Sequence, residues 1–319
     1  RTDIHLSEAQ NRAIHFKDGP ALVIAGPGSG KTTVIVNRVY NLIIKHSIKP
    51  SSILVITFTK AAAVSMKERF MSLEGSLNVP VTFGTFHAVF FTILRHAYNY
   101  SVNSIITRDL QYNFIRDKLI SFELEYSDEN ETVNSILSQI SKVKNECLNI
   151  DEYISTACPY ETFRIIYKEY GKMLISRRLI DYDDMVVLCN ELLTQRADYK
   201  AAWQDKYKYI LIDEFQDINK MQFDTIKLIA GDSANIFAVG DDDQSIYGFR
   251  GSKPDIMLAF KDYYSNAEII NLNVNYRCTD NIVKAARSLI GNNSLRYYKN
   301  IKSAGMVGEC IQVQGAKDI

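Results

Sequence analysis

The stretch Ala21-Leu22-Val23-Ile24-Ala25-Gly26-Pro27-Gly28-Ser29-Gly30-Lys31-Thr32-Thr33 restricts the folds open to this chain more than any other. An apolar run of strand length leads into a glycine-rich turn, and Val34-Ile35-Val36-Asn37-Arg38-Val39 then reads as the start of a helix. Strand, G-x-x-x-x-G-K-T and helix, in that order, is the context a phosphate-binding loop requires. Glycines let backbone N–H groups turn inward around a polyphosphate, and the helix N-terminus adds a favourable dipole. Gly26, Gly28, Ser29, Gly30 and Thr33 thereby become loop residues. Lys31 can reach the β- and γ-phosphates, and the Thr32 hydroxyl can ligate Mg²⁺. The sequence implies a nucleoside triphosphate site, with Mg²⁺, at the end of a buried strand.

Composition narrows the context. The 319 residues suffice for about two domains. Lys+Arg and Asp+Glu both number 37, a zero net charge that neither supports nor excludes a nucleic-acid partner. Cys147, Cys158, Cys189, Cys278 and Cys310 are scattered without a C-x-x-C pair, which suits reduced thiols in the cytoplasm. No run is long and apolar enough to span a membrane, and the polar N-terminus lacks a signal peptide's apolar core. The chain opens on Arg1 rather than Met, so a longer natural protein is expected.

Leu6 to Ile14 reads as a capped helix, with Ser7 as N-cap and Gln10 three residues on. Gln10 is then a capping side chain, or else a reader of the adenine edge; this stretch alone favours the cap. Strands are predicted at Ile53–Phe58 and Val79–Phe83, with a helix from Thr59 to Leu73 between them. This βαβαβ rhythm predicts an α/β fold, a parallel sheet with helices on its faces. Loops at the carboxyl ends of such strands form the binding edge. Phe58, Thr59 and His87 fall there, although a phenylalanine at such a position is more often core and a lone histidine more often structural. Between Thr85 and Tyr170 there is no glycine and apolar residues recur at helical spacing, so residues 95–178 read as a helical insertion. Within it Ser127 to Glu131 reads as an acidic loop, and Lys142-Val143-Lys144 as a solvated face.

The sheet resumes at Tyr207 to Ile212 and ends in Asp213-Glu214. Asp213 can hold Mg²⁺ and Glu214 can orient or deprotonate the attacking water. A strand through Val239 then leads into Gly240 to Ser252, dense in acids, aromatics and glycine. Gln244 could sense the γ-phosphate, and Tyr247 and Phe249 offer faces for bases. A last strand, Ile269 to Leu272, precedes Asn275-Tyr276-Arg277, a helix near Asp280–Ile290, and an alternating Cys310 to Val313 that looks like a further strand.

In this order the motifs resemble the UvrD/Rep/PcrA-type superfamily 1 DNA helicases. The resemblance runs from Gln10 and the phosphate loop through residues 56–62, 84–87, 181–185, 213–217 and 240–251 to residues 275–277. It implies a RecA-like phosphate-loop NTPase domain 1A (1–94 and 179–274), the insertion called 1B (95–178) and the start of a second motor domain, 2A (275–319). It implies that Gln10 reads adenine and Tyr276 stacks on it. Gln244 and Arg277 would touch the γ-phosphate, Arg277 as an arginine finger. Phe58, Thr59, His87, Tyr247, Phe249 and Arg250 would line a track for single-stranded DNA, and junctions of single and double strand would be bound. Movement would be 3′→5′. Phe249 stands where many relatives carry Trp, Lys60-Ala61 where many carry Asn-Lys, and Thr33 where many carry Arg. The second motor domain's later motifs lie outside this sequence, so a C-terminal half is the expected partner. The last 40 or so residues are too few for their own core and are expected to form a loose tail. A small-molecule phosphate-loop kinase, a non-catalytic nucleic-acid-binding relative and the helicase part of a helicase–nuclease are the rival readings, the second opposed by an intact Lys31, Asp213 and Glu214.

Overall fold

The computed structural model describes residues 6–73, 79–232, 235–245, 254–293 and 296–312. The main sheet has six strands: β1 Ala21–Ala25, β2 Ile53–Thr57, β3 Thr82–Thr85, β4 Tyr209–Ile212, β5 Ile236–Gly240 and β6 Glu268–Leu272. Their spatial order is β3-β2-β4-β5-β1-β6, and every pairing is parallel. The helices are α1 Glu8–His15, α2 Lys31–Ile44, α3 Lys60–Leu73, α4 Phe86–Tyr98, α5 Arg108–Ser121, α6 Glu129–Asn145, α7 Tyr160–Ser176, α8 Tyr182–Gln195, α9 Ala197–Lys206, α10 Lys220–Ala230, α11 Pro254–Leu258, α12 Phe260–Tyr263 and α13 Asp280–Ile290. None among the described residues is long and apolar enough to cross a membrane.

Strand periodicity builds two cores from one sheet. Leu22, Ile24, Leu54, Ile56, Ile210 and Ile212 face one side, against Phe86 and Phe90 of α4, Met185 and Leu192 of α8, and Phe223 of α10. Their sequence neighbours Val23, Ile53, Val55 and Leu211 face the other, against Val34 and Val39 of α2 and Phe70 of α3. Burial on both faces explains why these strands are unbroken apolar runs.

The third strand departs from expectation. It spans Thr82–Thr85, not Val79–Phe83. Pro80 cannot donate to a ladder, and the Val81 N–H bonds to the Val79 carbonyl in a tight turn. Thr85 then caps α4 through the Ala88 N–H.

Helices α5, α6 and α7 form a block with its own apolar core, including Ile115, Leu119, Ile136, Ile140, Phe163 and Ile166. Residue 95 falls inside α4, whose buried face belongs to the main core. The block's entry and exit lie side by side: the Ile106 N–H donates to the Ile180 carbonyl and the Ile180 N–H to the Ser104 carbonyl. The predicted acidic loop is instead a helix start, with Asp128 accepting from the Glu131 N–H as N-cap of α6. Nor is Lys144 on a solvated face. Its ammonium bonds to Asp181 at 2.7 Å and Asp184 at 2.6 Å, joining α6 to the first turn of α8. Next to it, the Asn145 amide donates to Asp183 at 2.7 Å and accepts from Asn219 at 3.2 Å.

The described part of the C-terminal segment is not a loose tail as far as Glu309. Short strands β7 Val274–Asn275 and β8 Lys302–Ser303 pair, and Asn275 and Lys299 are buried. Residues 310–312 have no regular structure, so no strand begins there; Val313 lies outside the described residues.

The junction at Lys144 gives a direct test. Lys144→Ala would strand the buried Asp181 and the half-buried Asp184, and removing one partner of a buried network costs up to about 3–5 kcal/mol. Urea unfolding should register that loss. A change below about 0.5 kcal/mol would mean the junction contributes nothing to stability.

Candidate functional site

The phosphate loop follows β1, and two of its glycines are conformationally required. Gly28 and Gly30 have φ of 68° and 85°, the left-handed region. A side chain at Gly30 would also press on Gln10 Nε2, 2.7 Å from an added Cβ. Ser29 is buried, with its hydroxyl lacking a protein partner. Lys31, in the first turn of α2, reaches across the sheet edge to Glu214, with Nζ and Oε2 2.6 Å apart. Thr32 and Thr33 are half-buried beside it in the same turn.

Asp213 and Glu214 leave the end of β4. Glu214 adopts left-handed backbone angles, φ 51° and ψ 44°, a costly conformation for a non-glycine residue and one found at functional sites. Asp213 is buried and its Oδ1 has no hydrogen-bond partner. Burial, with a smaller push from Glu214 and opposed by Lys31, raises its pKa to about 7. Asp217 is raised to about 6, again chiefly by burial. A buried carboxylate with unused lone pairs, beside a hydroxyl and a lysine, fits a divalent cation. Thr32 and Asp213 are the residues that would hold it.

Gln216 ties this corner together. Its amide donates to Glu214 Oε2 at 2.9 Å, and its carbonyl oxygen accepts the Asp241 N–H at 3.0 Å. A side chain on Gly240 would collide with that oxygen at 2.7 Å, so the glycine makes room for the bridge. Gln244 donates to Asp241 Oδ2 at 2.6 Å.

The two readings of Gln10 are compatible. Its Oε1 accepts the Ser7 N–H at 2.9 Å, completing a capping box, and its Nε2 donates to the Ser29 carbonyl at 2.9 Å. The Tyr276 hydroxyl shares Oε1 at 3.4 Å. An amide oxygen has two lone pairs and an amide nitrogen two hydrogens, so beyond the cap and the loop contact one Nε2 hydrogen is free for a base, and the second lone pair of Oε1 is the one the Tyr276 hydroxyl occupies. Tyr276 reaches this position because Asn275 Nδ2 donates to the Pro27 carbonyl at 2.7 Å and the Tyr276 N–H to the Gly28 carbonyl at 2.9 Å. Arg277 sits over Gly28 and is exposed.

A cavity of about 930 Å³ opens beside the acid pair. Glu214, Asp217 and Gln244 line one end; Phe58, Thr59 and His87 line the sheet-side wall; Arg108, Asn134 and Lys142 come from the helical block. Phe58 packs on Phe86 at 5.1 Å while facing the cavity, so it is rim of the core as well as wall. The Thr59 hydroxyl caps α3 through the Ala62 N–H. Burial lowers the pKa of His87, which meets Tyr182 edge-on at 5.5 Å. Tyr247, Phe249 and Arg250 lie outside the described residues.

The sequence reading passed over Tyr182, Gln216, Asn145 and Asn219 as individual site residues. Tyr182 carried a signal: an aromatic in the first turn of a helix capped by Asp181 is an expensive residue to leave exposed. Asn145 and Asn219 carried none, since the partners that join them to other elements are distant in sequence, whereas Gln216 bonds to Glu214 only two residues away.

The model of the UvrD/REP helicase N-terminal domain matches residues 6–265. The chain is 37% identical to a putative ATP-dependent DNA helicase YjcD of Bacillus subtilis, over 94% of this chain and 40% of that protein. It is 35% identical to a DNA helicase II of Rickettsia typhi, over 97% of this chain and 48% of that protein. It is 34% identical to the ATP-dependent DNA helicase PcrA of Staphylococcus aureus, over 96% of this chain and 43% of that protein. The chain thus spans less than half the length of these relatives.

Asp213 predicts a proton linkage. Its pKa is raised above the ordinary carboxylate value to about 7, so its neutral form prevails below that pH when no cation is bound. A cation needs the ionised form, so Mg²⁺-nucleotide affinity should fall about tenfold per pH unit below about 7 and level off above it. Calorimetry in buffers of different ionisation enthalpy should find proton release approaching one per nucleotide bound below that pH and vanishing above it, with none at either pH in Asp213→Asn. A release unchanged in that variant would remove Asp213 as the ligand.

Proposed function

The chain belongs to the UvrD/REP helicase family, and from that membership we propose that it forms the ATP-binding part of a DNA helicase. It hydrolyses ATP to move 3′→5′ along single-stranded DNA and to open duplex at junctions, in DNA repair or replication. The compartment is the cytoplasm, in keeping with five free cysteines. Residues 1–94 and 179–274 serve as the first motor domain, 95–178 as its accessory subdomain, and 275–319 as the start of a second motor domain. Family membership sets the phosphate-loop kinase aside.

The observation that carries this reading is one cavity lined at one end by Glu214 and Gln244 and along its wall by Phe58 and His87. A strand lying on the aromatics would be in contact with residues of the hydrolytic corner. Lys31 is held by Glu214 at 2.6 Å. A triphosphate offers Lys31 a stronger partner, and its transfer frees Glu214 to take a proton from the attacking water. Gln216 keeps that carboxylate oriented as the lysine leaves. Mg²⁺ supplies neutralising charge on the phosphates, with Thr32 and Asp213 as its protein ligands. Gln10 and Tyr276 hold the base, Gln244 senses the γ-phosphate, and Arg277 stabilises charge once the chain beyond β6 closes on the nucleotide.

Lys31→Ala should abolish turnover. Glu214→Gln should retain MgATP binding while phosphate release falls about 100-fold or more, as for loss of a general base. Equilibrium binding and steady-state phosphate release distinguish the two, and near-normal turnover in Glu214→Gln would remove it as the base.

Phe58→Ala should weaken single-stranded DNA binding by about 1–3 kcal/mol with little sequence preference. Fluorescence anisotropy with oligothymidylate and mixed-sequence strands tests this. If the variant loses stability while the folded fraction binds as before, Phe58 is core alone.

A further inference from the structure

After α13 the chain returns to the sheet edge and grips three consecutive aspartates. Lys299, with a side chain only 2% exposed, contacts Asp241, Asp242 at 2.6 Å and Asp243 at 2.7 Å. Arg296 bonds to Asp243 at 2.6 Å, and the Tyr297 N–H to Asp242 at 2.8 Å. The Tyr297 hydroxyl then donates to the carbonyls of Met257 and Leu258, both at 3.1 Å. Burial alone would discharge such an ammonium; the carboxylates more than offset it and its pKa stands above the ordinary lysine value. Four residues thus supply two cations to an acidic turn that has no aqueous counterions, since the Asp241 and Asp242 side chains are at most 1% exposed.

Asp241 is where this grip meets the nucleotide machinery. One carboxylate oxygen faces Lys299, and the other receives the Gln244 amide at 2.6 Å. Its backbone N–H donates to Gln216, which also holds Glu214. Without Lys299 the Asp241 carboxylate would have to take a proton or move toward water, and either change alters the acceptor that orients Gln244. We propose that Lys299 is a positioning residue for Gln244: it fixes the γ-phosphate-sensing side chain through Asp241, and so links the segment after α13 to ATP hydrolysis. The role assigned to Gln244 rests on the functional reading above; the Lys299–Asp241–Gln244 connection does not.

A double-mutant cycle tests the link. Lys299→Met should lower kcat for ATP about tenfold with KM changed less than about twofold, as for a contact used in the transition state. In a Gln244→Ala background the same substitution should change kcat less than about twofold. Multiplying losses, or a loss confined to KM, would overturn the proposal. Should Lys299→Met not fold, the cycle is run with Lys299→Met/Asp242→Asn/Asp243→Asn, in which Asp241 and Arg296 balance. Lys299→Arg should restore most of kcat. A second readout needs no hydrolysis: the Gln244 side-chain amide resonances, assigned by their loss in Gln244→Ala, should shift in Lys299→Met. Unshifted resonances would overturn the proposal even in a chain that hydrolyses nothing. A wild-type chain that neither binds nor hydrolyses ATP while those resonances do shift would instead refute the functional reading and leave the connection standing.

Discussion

Everything at the site depends on six strands running the same way. Parallel pairing delivers the carboxyl end of every strand to one edge, so Gly26, Phe58, Asp213 and Asp241 emerge together although nearly two hundred residues separate the first from the third. Strand order then sets the reach. One strand, β5, stands between β1 and β4, leaving roughly 10 Å between their axes. A lysine in the turn after β1 can cross that gap, and Lys31 does so to meet Glu214. A shorter side chain there would leave the half-buried Glu214 carboxylate without its cation. The same edge explains why β6, paired on the far side of β1, brings Asn275 and Tyr276 over the phosphate loop.

Two kinds of joint hold the molecule. Within the motor body the contacts are apolar and continuous on both faces of the sheet. Where the helical block and the segment beyond β6 meet that body, charged and amide groups dominate: Lys144 with Asp181 and Asp184, Asn145 with Asn219, Lys299 with the aspartates. Close-packed apolar contacts resist sliding, whereas a few directional polar contacts can exchange one arrangement for another. The rigid parts hold the chemistry, and the exchangeable parts are the ones whose closure would carry motion.

Much of this was legible in the residues. β1, β2, β4 and β5 are apolar runs with turn signals, and the phosphate loop and the acid pair name themselves by context. β3 was misplaced because Thr82-Phe83-Gly84-Thr85 is an edge strand, half-buried throughout, while the more apolar Val79–Val81 beside it is broken by proline. The Lys144 error has a different cause. A pair of lysines in a helix looks solvated until one knows that α8 lies against that face, a fact set by contacts about forty residues away. Lys299 is the extreme case, since nothing near it in sequence announces three aspartates more than fifty residues earlier. Gln10 shows the converse: its cap lies three residues away and is legible locally, whereas its contact with Tyr276 spans 266 positions and is not.

The bridge between Ile105 and Ile180 has a consequence for how such a chain can change over generations. Two backbone hydrogen bonds bring the ends of a seventy-residue excursion to neighbouring positions. The sheet therefore experiences the excursion as a single tight turn, whatever its length. Lengthening such a closed loop costs only the logarithm of its size, about 0.6 kcal/mol per doubling. An interruption of this kind can be enlarged, shortened or swapped for another self-sufficient core without retuning the strands on either side. What constrains its replacement is the small polar footprint at Lys144 and Asn145, so diversity can accumulate on one wall of the cavity while the edge with the phosphate loop stays as it is.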